Sequence, residues 1–518
     1  MFELRLRLGT YFCTDPKQDH QSINTCVKNQ PMKTRLKNLF TLPALIAGLG
    51  LIPAGRLTAQ NFTTLHSFTG WDGAGPPAGL ILSSHTLYGT AHQGGSSANG
   101  TVFAVNTDGT GFTNLHSFTA VGINSDGVGT NSDGAFPFAG LVLSNNTLYG
   151  TTPQGGTSGQ GTVFKVNIDG SDFTSLHGFT AVSGTYPFNN SDGACPHGSL
   201  ILSGTTLYGT APFGGSLGYG TVFKVNTDAT GFTTLQNFTN GGDGATPWAG
   251  LVLSGNTLYG TTSGGGSGAG TVFALNTNGA GFTTLHSFTA TSGSFPGPYT
   301  NSDGASPEAG LILSGNILYG TTQYGGSSAN GTVFALNNDG TGFKTLHSFM
   351  ALNRGTNSDG AFPGVRLILS GNTLYGTTYY GGSSGNGTVF ALYTNGTGFT
   401  TLYSFTGRSD GANPVAGSIF SNHTLYGTAY GGATAGNGTV FSLSLGPVSA
   451  PQLTIIPSAA NVILTWPTNA TGFTLQSTTN LVSPAIWTNV SPGPVVLNRQ
   501  NTVTNPISGT RQFYRLRQ

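Results

Sequence analysis

The stretch Leu374-Tyr375-Gly376-Thr377-Thr378-Tyr379-Tyr380-Gly381-Gly382-Ser383-Ser384-Gly385-Asn386-Gly387-Thr388-Val389-Phe390-Ala391-Leu392 decides the fold. Its two ends are short runs of β-branched, aromatic and apolar residues, which suit strands, and its middle is a Gly/Ser/Asn run that suits a connecting loop. The same text recurs along the chain with small changes. Leu-Tyr-Gly is centred on Tyr88, Tyr149, Tyr208, Tyr259, Tyr319, Tyr375 and Tyr426, at intervals of 51 to 61 residues. Gly-Thr-Val-Phe ends at Phe103, Phe164, Phe223, Phe273, Phe334, Phe390 and Phe441. A Phe-Thr-x-Leu-x-x-Phe run, or a near variant, closes at Phe68, Phe118, Phe179, Phe238, Phe288, Phe349 and Phe405.

Between Phe118 and Phe179 this pattern predicts four strands, at 140–144, 147–151, 162–167 and 173–179. Four strands in a unit of this length predict a propeller blade, and the seven copies of each signature predict a seven-bladed β-propeller. The order of the signatures sharpens the expectation. The repeat region opens with a fourth-strand run at 62–68 and stops after a third-strand run at 439–443, so each end lacks what the other has. Pairing the two completes a blade from both termini and leaves no open edge.

Composition agrees with an all-β fold class. The 518 residues include 83 Gly, 33 Phe and 18 Tyr, and only 7% are charged, so the chain is rich in turns and poor in helix formers. Residues 1–31 read as an upstream extension of the reading frame and 32–59 as a secretory signal peptide. Lys33, Arg35 and Lys37 precede an apolar run over 39–52, then Pro53 and Leu57-Thr58-Ala59, with cleavage expected after Ala59. The run is too short and too broken by Gly and Pro for a membrane span. The mature chain is therefore expected outside the cell or on its surface, with no membrane span. Its 10 basic and 14 acidic residues give a net charge of −4 without Lys/Arg clusters, which excludes nucleic acid as an expected partner. Cys195 is expected there as a lone thiol.

Seven copies within one chain separate frame from candidate function: positions alike in every copy serve the frame, and positions that differ are free for a ligand. Asp-Gly-Ala-x-Pro, at Asp133, Asp192, Asp243, Asp303, Asp359 and Asp410 with Asp72 close to it, reads as a structural turn in which the carboxylate caps backbone N–H groups. The fourth-strand histidines, His66, His116, His177, His286 and His347, lie on different blades, too far apart to share one ion, so no metal is expected. No cofactor motif is present, and no Gly-x-Ser-x-Gly, His-Glu-x-x-His or Walker pattern.

In an antiparallel blade the fourth-to-first and second-to-third connections emerge on one face. Here those are the long, variable ones, as at 119–137, 180–196, 289–307 and 350–363, and loops on a rigid scaffold are where binding resides. The residue after the loop proline differs in every unit: Pro77, Phe138, His197, Trp248, Glu308, Gly364 and Val415. Arg366 stands in the slot that holds Gly79, Gly140, Gly250, Gly310 and Gly417 elsewhere. The candidate ligand residues are Phe138, His197, Trp248, Glu308 and Arg366, with Tyr324, Tyr379, Tyr380 and Tyr430 from the second-to-third loops. Aromatics with scattered polar groups suit stacking and hydrogen bonding to a sugar or peptide.

The text at 374–392 resembles the GloVer tandem-repeat family of choice-of-anchor secreted bacterial proteins over residues 61–445, and kelch propellers more loosely. The resemblance implies export and a repeat architecture; it brings no catalytic residues. After Gly446-Pro447 the repeat stops, and strands are expected at 461–466, 473–477, 486–490 and 512–516. Trp466 and Phe513-Tyr514-Arg515-Leu516 resemble fibronectin type III core positions. A small β-sandwich is expected at 447–518 after the propeller at 60–446, with its last strand missing or an edge borrowed. The leading expectation is a monomeric, non-enzymatic binding scaffold for an extracellular glycan or protein. The alternatives are a polysaccharide lyase or hydrolase acting through Glu308 and Asp303, and a purely structural envelope protein.

Overall fold

The computed structural model describes residues 59–445 apart from 185, 294–298, 416 and 418, and, between 453 and 517, all but 459–460, 468–473, 480–485, 498–499 and 507–511. The expected extension and signal peptide, Ala59 excepted, and the Gly446-Pro447 junction lie outside the described residues. The chain divides into two compact units, one spanning 57–450 and the other including 451–518. The described residues are all-β, and none of them forms a helix long and apolar enough to cross a membrane.

Seven four-stranded antiparallel sheets carry the repeat. Units 1 to 6 are meanders in chain order, at 81–117, 142–178, 201–237, 252–287, 312–348 and 368–404. In unit 2 the strands are Val142–Ser144, Thr147–Thr152, Thr162–Asn167 and Thr174–Gly178. The first is shorter than the expected 140–144, and the Gly140 N–H is bonded to Ser199 Oγ of the next unit at 3.0 Å. Unit 7 comprises Ile419–Ser421, Thr424–Ala429 and Thr439–Leu445, and its fourth strand is Ala59–Ser67 from the other end of the repeat region. Phe62 lies opposite Leu443 and Thr64 opposite Phe441, so the two ends pair as their complementary trimming predicts.

Leu and Tyr of each second strand point to opposite sides of the sheet, and both are buried in unit 1, Leu87 fully and Tyr88 nearly so. Both sides can be apolar because consecutive units share cores. Tyr88, Val102 and Phe118 of unit 1 pack with Leu141, Leu148 and Phe164 of unit 2. Phe68 and Val440 of unit 7 pack with Leu80, Leu87 and Phe103 of unit 1. The threonine after each Leu-Tyr-Gly is buried, and its hydroxyl donates to a carbonyl of the following unit: Thr90 to Ala139 at 3.1 Å, Thr210 to Ala249 at 2.8 Å, and Thr428 of unit 7 to Ala78, just ahead of unit 1, at 3.2 Å. The glycine between Tyr and Thr is required by close approach: a Cβ on Gly320 would lie 2.5 Å from Phe334 Cζ and 2.8 Å from Leu311 Cδ2.

In the second compact unit, Thr454–Ser458, Asn461–Pro467, Gln500–Pro506 and Val495–Leu497 form one sheet, and Thr488–Asn489, Thr474–Thr478 and Phe513–Arg517 another. Leu464, Trp466, Leu475 and Val503 are its buried core. Three of these strands escape the sequence pattern: Thr454–Ser458 is interrupted by Pro457, Val495–Leu497 is only 3 residues long, and Gln500–Pro506 carries Asn, Gln and Thr rather than an apolar alternation. Cys195, expected as a lone thiol, is disulfide-bonded, and the other two cysteines lie outside the described residues.

Candidate functional site

The fourth strand of each meander carries an irregularity against its third strand: in unit 1, Val102 faces His116 while Phe103 faces Asn114. The extra residue, Leu115, bends the strand end, and His116 follows at the bend. Its Nε2–H donates to Asp133 Oδ2 at 2.9 Å. The same carboxylate accepts the Thr119 backbone N–H and the Thr119 hydroxyl. This latch recurs as His66–Asp72, His177–Asp192, His286–Asp303 and His347–Asp359, at 2.9 to 3.1 Å, and Tyr403 OH replaces the imidazole on Asp410 at 3.0 Å. At Asp243 only Thr239 remains, through its N–H and hydroxyl.

Each of these aspartates caps a backbone N–H, that of the residue after the fourth strand's closing Phe. The histidine partnership is a further feature that the sequence pattern did not reveal. Burial is the strongest single influence on Asp133, Asp192 and Asp303 and would raise them. The hydrogen bonds from histidine, threonine hydroxyl and backbone together outweigh it and hold all three below the usual carboxylate range. For His66, burial lowers the imidazole more than Asp72 raises it. Each ring also stacks on a phenylalanine of the next unit: His66 on Phe112, His116 on Phe173, His177 on Phe232, His286 on Phe343 and His347 on Phe399, with centroids 3.6 to 3.9 Å apart. Tyr403 stacks on Phe62 at 4.2 Å. These latches belong to the frame, and Asp303, the carboxylate named beside Glu308 for an enzymatic reading, is one of them.

The two sets of long connections meet on one side of each sheet. Single bridges tie Ala135 to Gln154, Ala194 to Phe213, Ala305 to Tyr324 and Ala361 to Tyr380, one residue from a fourth-to-first loop and one from a second-to-third loop each time. The residue before each loop proline, including Phe136, Ser306 and Phe362, has φ between 53° and 59°, a left-handed conformation costly for a side chain other than glycine. It is held by a bond from its N–H to the preceding unit's loop, as Phe136 to the Asn99 carbonyl at 2.8 Å.

Beyond the proline, the variable slot forms contacts across units. The Phe138 and His197 rings lie 5.3 Å apart edge to face, and His197 and Trp248 lie 4.6 Å apart. His92 flanks Phe138 at 5.6 Å and Phe213 flanks Trp248 at 5.4 Å. An aromatic arc thus runs through units 2, 3 and 4. His197 is its buried keystone, with Nδ1 2.7 Å from the Cys195 carbonyl, while Phe138 and Trp248 are half-buried. A second cluster joins units 5 and 6: Tyr324 meets Phe362 at 5.4 Å, Phe362 meets Tyr380 at 5.9 Å, and Tyr380 meets Tyr379 at 4.4 Å. Tyr324 and Tyr380 are exposed, at 42% and 40%. The Tyr430 ring lies 3.0 Å from where a Cβ on Gly75 would be. Phe136 and Phe362 were not among the candidates, because each is the variable residue of Asp-Gly-Ala-x-Pro, which reads as a structural turn. The exposed Trp71, at 82%, was also missed, since it sits in the shortest, least regular copy of the loop.

Glu308 follows Trp248 in the slot order and is half-buried. The next turn of chain inward holds the glycine slot, where neighbours touch in series. A Cβ on Gly140 would lie 3.1 Å from the Gly79 carbonyl, one on Gly250 2.6 Å from the Ser199 carbonyl, one on Gly310 3.3 Å from the Gly250 carbonyl, one on Gly417 2.9 Å from the Arg366 carbonyl, and one on Gly79 2.7 Å from the Gly417 carbonyl. Arg366 alone places a long side chain there. It leans over Gly310, whose Cβ would be 3.6 Å from Arg366 Cδ. Among the described residues no cluster of three or more His, Cys, Asp or Glu is arranged to hold a metal ion.

These features define an all-β tandem-repeat protein whose sheets are built to one plan. The chain belongs to the Gloeobacter/Verrucomicrobia repeat family, whose profile matches residues 46–190, 182–300 and 297–456. No curated protein sequence matches it. Among solved structures it is similar to a chain of a nidogen/laminin complex (14% identity, TM-score 0.37, covering 62% of this chain and 92% of that one). It is also similar to an oligogalacturonate lyase in complex with manganese (11%, TM-score 0.43, 75% and 93%) and to TolB from Acinetobacter baumannii (13%, TM-score 0.34, 61% and 62%).

Proposed function

We propose that the protein is an exported binding scaffold that takes carbohydrate on its loop-bearing face. In this reading the seven sheets are the blades of a closed seven-bladed β-propeller at 60–446, supported by the shared core and hydroxyl bond that join unit 7 to unit 1. Residues 447–518 form a fibronectin III-like sandwich, supported by the two packed sheets around Trp466. Residues 32–59 are the signal peptide, so cleavage leaves Cys195 as the one cysteine of the exported protein, and amino-terminal sequencing is expected to begin at Gln60.

The observation that carries the binding assignment is the arc Phe138–His197–Trp248. It is built from the one slot whose residue changes in every unit, and three successive units fill it with rings in mutual contact. Nothing in the frame requires this, since Pro77, Gly364 and Val415 serve in other units. Aromatic faces beside a polar opening stack on the apolar faces of sugar rings. Phe138 and Trp248, with Tyr324 and Tyr380 on the neighbouring cluster, are the contact residues; His197 orders the arc.

The test is a glycan array probed with the exported protein, followed by calorimetry on the hits, with W248A as the comparison. Saturable binding that W248A weakens at least tenfold is the expected result. An array without hits, or binding unchanged in W248A, overturns the assignment; binding only to a peptide library redirects it to a protein ligand.

A further inference from the structure

Arg366 is the one departure in the inner slot that changes charge as well as size. In the other units the slot is Gly79, Gly140, Ser199, Gly250, Gly310 and Gly417, so this lining is otherwise nearly bare backbone. Packing does not call for the side chain: it is exposed, and its stem rests against Gly310 and Gly417, where there is no side chain to pack with. Among the described residues no hydrogen bond or ion pair holds the guanidinium. No carboxylate lies near enough to offset the loss of hydration, which lowers its pKa although solvent reaches it. An arginine still keeps its charge under such a shift.

Most of the carboxylates among the described residues are committed elsewhere. Asp72, Asp133, Asp192, Asp303, Asp359 and Asp410 are in latches, and Asp108, Asp169 and Asp339 cap the turns between third and fourth strands. A planar fork of five N–H donors left open beside nearly bare backbone is matched best by a planar anion that accepts two bonds at once.

We propose that Arg366 is the seat for a carboxylate of the ligand, so that the carbohydrate taken by this face is a uronate-bearing one. The inference rests on the carbohydrate reading above, with the aromatic arc stacking on sugar rings and Arg366 reading the acid. It also supplies what the arc lacks, because stacking distinguishes sugars poorly, whereas a charged bidentate pair distinguishes an acid from its neutral counterpart.

The test uses a matched pair, β-1,4-mannuronate tetrasaccharide and β-1,4-mannotetraose, which differ at C6 in carboxylate against hydroxymethyl. Calorimetry is run on the exported protein, R366G and W248A. R366G installs the residue that most other units carry, so its folding is expected to be intact and is checked by urea unfolding. The expected result is preference for the mannuronate, lost about tenfold or more in R366G and reduced by added salt, while W248A weakens both sugars.

Binding of mannotetraose that equals that of mannuronate and ignores R366G overturns the carboxylate seat while leaving the carbohydrate assignment standing. As a direct probe, sodium glucuronate is titrated while the Arg366 Nε–H resonance, identified by its absence from R366G, is followed. A saturable shift supports the seat even if neither tetrasaccharide binds, in which case the aromatic-arc assignment fails alone. No shift overturns the seat, and so does an acidic tetraglutamate peptide that shifts the resonance where glucuronate does not.

Discussion

Met350 donates its backbone N–H to Asp359 Oδ2 at 3.1 Å, and the other oxygen of that buried carboxylate, Oδ1, has no hydrogen-bond partner. Every other unit places threonine where Met350 stands, and the Thr119, Thr180, Thr239, Thr289 and Thr406 hydroxyls each donate to the Oδ1 of their own aspartate. An unsatisfied buried acceptor costs more than a hydrogen bond contributes. M350T is therefore expected to stabilise the protein by about 1 kcal/mol, since Met350 is 47% exposed and gives up little packing. Urea unfolding measures it; a midpoint that stays or falls would show that the threonine hydroxyl is not what the latch lacks.

The latches also set an acid limit. Asp133, Asp192 and Asp303 have folded pKa values below those of the unfolded chain, so the unfolded state binds protons first. Their stabilisation is full above the unfolded carboxylate pKa, about 4, and is lost as pH falls through the lower folded values. The lowered His66 has the same sign in a higher window: stability declines as pH drops below the unfolded histidine value of 6.5 toward the folded one. Denaturation midpoints between pH 7 and 3 should show a shallow decline and then a steep one, with H66Q removing part of the first. A flat profile down to pH 3 contradicts the latch chemistry.

The contact between Gly320 and Phe334 predicts a local intolerance. Phe334 is fully buried and cannot yield, so G320A should cost roughly 1–3 kcal/mol through overpacking. Gly242 has nothing within 4 Å of a Cβ and no left-handed φ, so G242A is the control, with a change within about 0.5 kcal/mol. Equal effects of the two substitutions would remove the steric explanation for the glycine in Leu-Tyr-Gly.

Phe62 joins the beginning of the repeat region to its end, stacked on Tyr403 at 4.2 Å and on Phe441 at 5.3 Å. F62A should destabilise by roughly 2–4 kcal/mol and, because one strand completes the last sheet, should do so in a single cooperative transition of 59–445. Fluorescence and circular dichroism transitions that separate in F62A, or a loss under about 0.5 kcal/mol, would show that the seam is not integral to the fold.

The repeat was legible because strand identity lies in local text: Leu-Tyr-Gly, Gly-Thr-Val-Phe and the fourth-strand run each specify their own ladder, and the trimmed ends specified their pairing. The latch was not, because its two members are separated by a loop of varying length. His66 and Asp72 are 6 residues apart, His347 and Asp359 12, and His116 and Asp133 17, so no fixed spacing marks the pair. The candidate slot was legible as a column of differing residues. That Phe138, His197 and Trp248 touch was not, since it depends on the distance between successive sheets. The second compact unit has no repeat to average over, and its polar strands carry too weak an alternation to be read.

The ring-on-phenyl joints have a consequence for assembly. Five of them use the same two residue types in the same places, so the adhesive flanks of different units are near-copies, and a flank exposed during folding fits many wrong neighbours as well as the right one. Only the covalent thread tells a unit who stands beside it. The exceptions, Gln236 where the other meanders carry His or Tyr opposite the third-strand Val, and Tyr403 stacked on Phe62, act as addresses in an otherwise uniform series, and making them uniform should raise the yield of swapped, entangled molecules on refolding.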